Sequence, residues 1–120
     1  MATEDDVRRI ALSLPETTEQ PSYHGSPGFK VKGKSFLRIR SEAEGALVVF
    51  VADLGEKEAL LAADEAAFFT TPHYDGYPTV LVRIGEVDVD ELTELITDSW
   101  LVKAPPRVRT AFLADRGDGA

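Results

Sequence analysis

The chain has 120 residues, of which 43% are hydrophobic and 28% are charged, and its formal net charge is -8 at pH 7. This length suits one ordinary domain with a single core, and the composition is that of a folded globular protein. The acidic balance opposes non-specific attraction to nucleic acid or anionic lipid, because both are negatively charged. The chain has no cysteine, which excludes disulfides, thiolate catalysis and Cys-ligated metal sites.

The same composition bears on location and domain count. No apolar run approaches the roughly 20 residues of a membrane span. The first residues, Met1 to Asp6, are acidic, whereas a signal peptide begins with a basic and then an apolar stretch. We therefore expect a cytoplasmic protein with no membrane contact, made of a single domain over residues 1–114 and a flexible C-terminal tail over residues 115–120.

The N-terminal segment predicts a helix that begins after Thr3. Thr3 and Asp6 have the spacing of a capping box, with Asp in place of the usual Glu. Pro15 ends the helix, and residues 15–28, rich in Pro, Thr, Ser and Gly, predict a long loop of a kind that is often functional. Apolar residues recur at i, i+3, i+4 and i+7 and predict one buried stripe of the helix: Val7, Ile10, Ala11 and Leu14.

Residues 29–40 predict a β-hairpin with its turn near Gly33. Apolar and basic residues alternate along both arms, as the period of two residues requires in a half-buried strand. Lys30 and Lys32 therefore lie on one side of the first arm, and Arg38 and Arg40 on one side of the second. The segment holds five basic residues and no acidic one, which is the main functional signal in the sequence.

Residues 47–52 predict a strand that is apolar on both faces, and such a strand is usually central and covered twice. Helices supply one cover. Either a dimer partner or a long loop of the same chain supplies the other.

Asp53 and Glu56 predict a second capping box and helix. Its apolar positions are Leu60, Leu61, Ala63, Ala67 and Phe68. Residues 70–78, with two prolines and two tyrosines, predict a rigid loop, and the β-branched residues 79–84 predict a further strand.

The C-terminal third predicts two helices. Asp88 and Glu91 cap the first of them, and Pro106 opens the second, since proline is favoured in a first helical turn. The buried stripe of the first consists of Leu92, Leu95, Ile96 and Trp100. The resulting order, α-β-β-β-α-β-α-α, predicts an α+β two-layer sandwich, in which an antiparallel sheet of four or more strands carries its helices on one face.

The order of several short motifs resembles the MmcQ/YjbR family. They are Leu14-Pro15-Glu16 at the end of the first helix, the hairpin with its Gly33-Lys34-Ser35-Phe36 signature, and Asp98-Ser99-Trp100-Leu101-Val102 before Pro105 and Pro106. The resemblance covers the chain from about Asp5 to about Ala114. It implies a CyaY/frataxin-like fold, and many members carry the label DNA-binding protein. The family brings no catalytic residues and no cofactor.

The basic residues are the candidate nucleic-acid contacts, because phosphate contacts come chiefly from Lys and Arg. A wing-like hairpin would follow a duplex backbone, and the start of the last helix would extend the basic patch. The alternative is a structural role, in which these residues form a solvent-exposed face and protect an edge strand from pairing with another chain. The candidates are Lys30, Lys32, Lys34, Arg38, Arg40, Lys103, Arg107 and Arg109.

Three weaker patterns each have a structural alternative. A metal site or an acid–base site could be formed by His73 with Asp75, and by His24, but the spacing of these residues matches no ligand motif. The acidic first turn invites the iron binding that the frataxin resemblance implies, although dipole complementation explains it adequately. Tyr23, Tyr74 and Tyr77 invite a stacking platform for single strands, or else fasten the loops to the sheet. We expect no metal and no cofactor.

Three functional hypotheses follow. The leading one is a non-enzymatic binding domain that contacts DNA through the basic hairpin. The second is a domain that binds a protein partner, or a second copy of itself, through its sheet and binds no nucleic acid. The third is a weak cation-binding protein, and it ranks last.

Overall fold

A computed structural model describes residues 2–21, 26–40 and 45–117, and for residues 116 and 117 it describes the backbone alone. The helices of the described chain are α1 (Glu4–Ser13), α2 (Leu54–Ala63), α3 (Val89–Lys103) and α4 (Pro106–Gly117). The strands are β1 (Thr17–Pro21), β2 (Pro27–Val31), β3 (Lys34–Arg40), β4 (Ala46–Phe50), β5 (Phe68–Phe69) and β6 (Thr79–Arg83). No helix in these ranges is long and apolar enough to cross a membrane.

The strands form one antiparallel sheet in the order β1-β2-β3-β4-β6-β5. Every second strand residue points to the face on which the helices pack. Cross-strand neighbours such as Leu37, Val49 and Val80 are almost fully buried there, in one core with Ile96 and Trp100. The predicted α+β sandwich, with its helices on one face of an antiparallel sheet, is confirmed.

The predicted loop over residues 15–28 is wrong in part, because Thr17–Pro21 form the edge strand β1. This strand is polar and lacks apolar alternation, so its sequence carries no periodic signal. Tertiary contacts hold it instead: Arg8 of α1 donates to both carboxylate oxygens of Glu19, at 2.9 and 3.1 Å. Residues 22–25, which include Tyr23 and His24, lie outside the described residues.

The second predicted helix also ends earlier than expected. Its last residue is Ala63, and the Asp64 side chain then accepts hydrogen bonds from the backbone N–H groups of Ala66 and Ala67. That local turn redirects the chain, so Phe68 lies in the short strand β5 beside β6 rather than on a helix.

The N-terminal capping box and the start of α4 agree with the sequence. Thr3 and Asp6 form the complete box of α1. Pro106 opens α4, which continues to Gly117 and so includes part of the segment predicted as a tail. Residues 118–120 lie outside the described chain.

The hairpin turns over two residues, Lys32 and Gly33, whose φ angles are 49° and 84°. Positive φ at both central residues is the geometry of a type I′ turn, which matches the twist of the two strands. A β-bulge interrupts the regular alternation: Phe29 faces Leu37, but Lys30 faces Ser35. Phe36 is therefore the extra residue, and both Phe36 and Leu37 are buried in the core.

Candidate functional site

The strand residues that alternate with the core form the outer face of the sheet, opposite the helices. This face carries four cations, Lys30, Arg38, Arg40 and Arg83, as the pairing of the strands requires. No acidic residue occupies it among the described strand positions. The remaining outer-face positions are Thr18, Gln20, Gly28, Ser35, Ala46, Val48, Phe50, Phe69, Thr79 and Leu81.

The middle of the outer face is apolar and already covered. Ala46, Val48 and Leu81 are at most 4% exposed, and Phe69 and Tyr74 pack against them. Tyr74 belongs to the segment 70–78, so a loop of the same chain supplies part of the second cover of β4. The loop alternative is therefore present for part of this face, and the dimer partner stays a prediction.

A buried lysine fixes this covering loop. Lys57 of α2 is 6% exposed, and its Nζ donates to the backbone oxygens of Tyr74, at 2.6 Å, and Tyr77, at 2.9 Å. From the sheet side, Arg38 Nη2 donates to the hydroxyl of Tyr74 at 2.6 Å. Tyr74 is thus fastened to the protein, whereas Tyr77 remains 61% exposed. Sequence reasoning missed Lys57, because nothing in the helical pattern distinguishes it from a surface lysine.

The structure divides the predicted basic residues into two groups. Lys30, Arg38 and Arg40 share the outer face, as the hairpin pattern predicted. Lys32 does not join them, since it lies in the turn, where its Nζ is 3.5 Å from Glu16 Oε1. The prediction that Lys32 shares that face is therefore wrong, because a two-residue turn takes it out of the strand.

The second group meets where the hairpin tip approaches the junction of α3 and α4. Lys34, Lys103 and Arg109 line one hollow of about 500 Å³, which we call the basic hollow. Its three cations come from three different elements, and within the described chain none of them forms an ion pair. Arg107 lies exposed on the first turn of α4 and does not line the hollow. The other lining residues are Ser35, Val102, Ala104, Pro105 and Pro106.

An aromatic hollow of about 360 Å³ adjoins the basic one, and the two share Lys103. The ammonium group of Lys103 lies 4.4 Å from the centroid of the Phe50 ring. Thr79, which is 4% exposed, lines the hollow, and its hydroxyl has no hydrogen-bond partner among the described residues. The other lining residues are His73, Tyr74, Tyr77 and Pro78.

The residues behind the metal hypotheses have other contacts. The exposed imidazole of His73 packs edge-on against Tyr74, with ring centroids 4.8 Å apart. In the first turn of α1, hydrogen bonds from Arg9 and from the Thr3 backbone lower the pKa of Asp6. Across residues 2–21, 26–40 and 45–117, no three His, Asp or Glu side chains are grouped as a metal site would require.

Acidic and basic groups lie at opposite ends of α3, a helix about 22 Å long at 1.5 Å per residue. Lys103 occupies its C-terminal end. Near its N-terminal end, burial raises the pKa of the Glu91 carboxyl, and the neighbouring Asp88, Asp64 and Glu94 raise it further. These four acidic groups thus lie toward the end of α3 that is opposite the basic hollow.

We expect Glu91→Gln to stabilise the protein at pH 7 but not near pH 3.5. A carboxyl with a raised folded-state pKa binds its proton more tightly in the folded state, so its contribution to stability falls as pH rises from about 4.3 through the folded pKa. Melting temperatures at both pH values test this. Glu58→Gln, an exposed change on α2, is the control, and an equal gain at both pH values would contradict the assignment.

Comparison with known proteins agrees with the sequence resemblance. The family model described as YjbR matches residues 12–102. The uncharacterized proteins Rv2570 of Mycobacterium tuberculosis (H37Rv) and Mb2600 of Mycobacterium bovis are each 44% identical over 129 residues, covering 98% of this chain and 100% of each relative.

Among solved structures, the fold is similar to Deinococcus radiodurans protein DR2400, which has a DUF419 domain. The TM-score is 0.75 at 24% identity, and the match covers 98% of this chain and 89% of the other. At that identity the likeness shows the fold alone. The family match and the mycobacterial relatives go further, and they show that the chain belongs to the YjbR family.

Proposed function

We propose that this protein is a non-enzymatic binding domain that holds DNA against the outer face of its sheet. The observation that carries the proposal is that Lys30, Arg38 and Arg40 lie on the same face of the sheet. A cytoplasmic location belongs to the proposal as well, since a chain without cysteine suits a reducing compartment.

The net charge of -8 does not by itself prevent this contact. Charges further away than about 10 Å are largely screened at 0.1 M salt, so a bound strand responds mainly to the side chains beneath it. The acidic groups around Glu91 lie near the start of α3, whereas the basic hollow lies at its end. Lys34, Lys103 and Arg109 therefore extend the cationic surface in the direction away from those acids.

The test is fluorescence anisotropy of labelled single-stranded and duplex DNA at about 50 and 200 mM salt. Four to six phosphate contacts should lower affinity by about two to three decades between these conditions. In the double variant Lys30→Gln, Arg40→Gln, we expect weaker binding to all sequences alike. The salt slope should also fall, by about one unit for each phosphate that the variant no longer neutralises.

The control is Arg9→Gln, which removes one positive charge, against two in the outer-face variant, from an exposed position on α1 on the other side of the sheet. It should leave affinity and salt slope nearly unchanged. Equal losses of affinity in the control and in the outer-face variant, or no binding at the lower salt, would contradict the proposal.

The second candidate is a domain that binds a basic protein, or a second copy of itself, through the sheet. The overall acidity supports a basic partner. Support for the dimer is weaker, because Tyr74 and Phe69 already cover the apolar centre of β4. Sedimentation of a strictly monomeric species would count against the dimer. The frataxin-like fold and its weak cation binding stay predictions of the resemblance.

A further inference from the structure

The aromatic hollow contains a buried polar group without a partner. The Thr79 hydroxyl belongs to a residue that is 4% exposed, and no described residue accepts or donates a hydrogen bond to it. Buried hydroxyls are nearly always hydrogen-bonded, and an unpaired one is destabilising. Because Thr79 lines the hollow, a ligand there is a candidate partner for this hydroxyl.

The walls of this hollow suit a planar ring. Phe50, Tyr74 and Tyr77 line it together with Pro78, and aromatic side chains bind planar heterocycles by stacking or edge contacts. Lys57 and Arg38 hold Tyr74 in place, so part of the wall is fixed before a ligand arrives. A volume of about 360 Å³ is within the usual range of small-molecule sites.

The basic hollow lies beside the aromatic one and suits a phosphate group. Lys34, Lys103 and Arg109 converge there, and in the described chain no carboxylate neutralises them. Lys103 also lies over Phe50 at 4.4 Å, so one side chain adjoins both hollows. Charge-assisted hydrogen bonds from Lys and Arg are the usual contacts to phosphate oxygens.

We propose that the two hollows together bind one nucleotide unit, with the base in the aromatic hollow and the phosphate in the basic hollow. The inference rests on the proposed function. It narrows the DNA that the protein binds to single-stranded DNA, since a base enters the hollow only when it is unpaired. The unit comes either from a single strand or from a free nucleotide, and the test separates these sources. The Thr79 hydroxyl bonds a polar edge of the base.

The first measurement is calorimetric titration with adenosine 5′-monophosphate and with adenosine. We expect the nucleotide to bind about tenfold or more tightly than the nucleoside, and Lys103→Met to remove that preference. Thr79→Val should weaken both ligands about tenfold, because it replaces the hydroxyl with a methyl group of similar size that forms no hydrogen bond. Thr70→Val is the matched control, since the Thr70 hydroxyl is also buried and unpartnered among the described residues but Thr70 does not line the hollow.

Tyr77→Ala gives a second variant that does not disturb the core, because the ring is 61% exposed. It should weaken both ligands about tenfold, since the base then has no ring at this position on which to stack. Unchanged affinity in both Thr79→Val and Tyr77→Ala, or equal binding of nucleotide and nucleoside by the unaltered protein, would overturn the inference.

The second measurement uses a labelled eight-residue oligo(dA), alone and paired with its complement. Tighter binding of the single strand, weakened by Thr79→Val, supports both proposals. A second outcome is salt-dependent binding of the oligonucleotides that neither Thr79→Val nor Tyr77→Ala changes. This result would support the DNA-binding function and overturn the nucleotide site. Binding of adenosine 5′-monophosphate without binding of either oligonucleotide supports the site for a free nucleotide and overturns the DNA-binding function.

Discussion

Trp100→Ala should lower the free energy of unfolding by about 3–5 kcal/mol, the range for removing a fully buried aromatic side chain. Trp100 is 0% exposed. Its ring lies 4.7 Å from that of Phe112, and its Nε1 donates to the backbone oxygen of Pro15 at 3.1 Å. One side chain therefore connects α3 with α4 and with the end of α1, so its removal affects three elements at once.

Urea unfolding followed by circular dichroism measures this change. Trp100→Phe should be intermediate, because it keeps an aromatic ring but leaves the Pro15 oxygen without its indole donor. Leu113→Ala is the control on α4, since Leu113 is 48% exposed and its truncation should change stability by less than about 0.5–1 kcal/mol. A Trp100→Ala effect as small as this control would show that the indole is not a central part of the core.

Lys57→Met should lower the free energy of unfolding by about 2–4 kcal/mol. The buried ammonium donates to two backbone oxygens, of Tyr74 and Tyr77. Methionine matches the length of the side chain but leaves both acceptors without their charged donor, and hydrogen bonds to charged groups contribute about 1.5–3 kcal/mol each. Each oxygen also accepts a backbone hydrogen bond, from Tyr77 and from Thr79, which reduces the total. The same change should loosen residues 70–78, which carry the wall of the aromatic hollow.

Two measurements separate these effects. Urea unfolding gives the decrease in stability, and hydrogen exchange under native conditions shows whether faster opening concentrates in residues 70–78. Glu58→Met alters the next residue, which is exposed on α2, and should have little effect on either. A uniform rise in exchange over the whole sheet would contradict a local role for Lys57.

Hydrophobic periodicity predicted the helices and strands that bury only one face. The stripe through Leu92, Ile96 and Trp100 indicated α3 with its buried face, and the alternation from Phe29 to Arg40 placed the hairpin. Turn chemistry also acted locally, since Gly33 lies in the two-residue turn. These features depend on neighbours within a few residues, so a single sequence contains the information needed to predict them.

Other features depend on contacts between distant residues, and the sequence did not predict them. Strand β1 is polar, and β5 contains only Phe68 and Phe69. Each is defined by the strand beside it. The bulge at Phe36 likewise depends on how β2 and β3 are aligned with each other.

The candidate site shows the same division. Alternation predicted that Lys30, Arg38 and Arg40 share a face. Charge alone nominated Lys34, Lys103 and Arg109, but their convergence in one hollow is tertiary. The supports of the aromatic hollow, Lys57 and Thr79, carried no sequence signal at all.

The acidic groups near the start of α3 and the cations near its end contribute an electric dipole in addition to the net charge. The field of a polyanion then exerts a torque on an approaching molecule and turns the end that carries Lys103 toward the strand before contact. Because the field acts over the Debye length, about 30 Å at 0.01 M salt and 3 Å at 1 M, this orientation acts chiefly on the association rate.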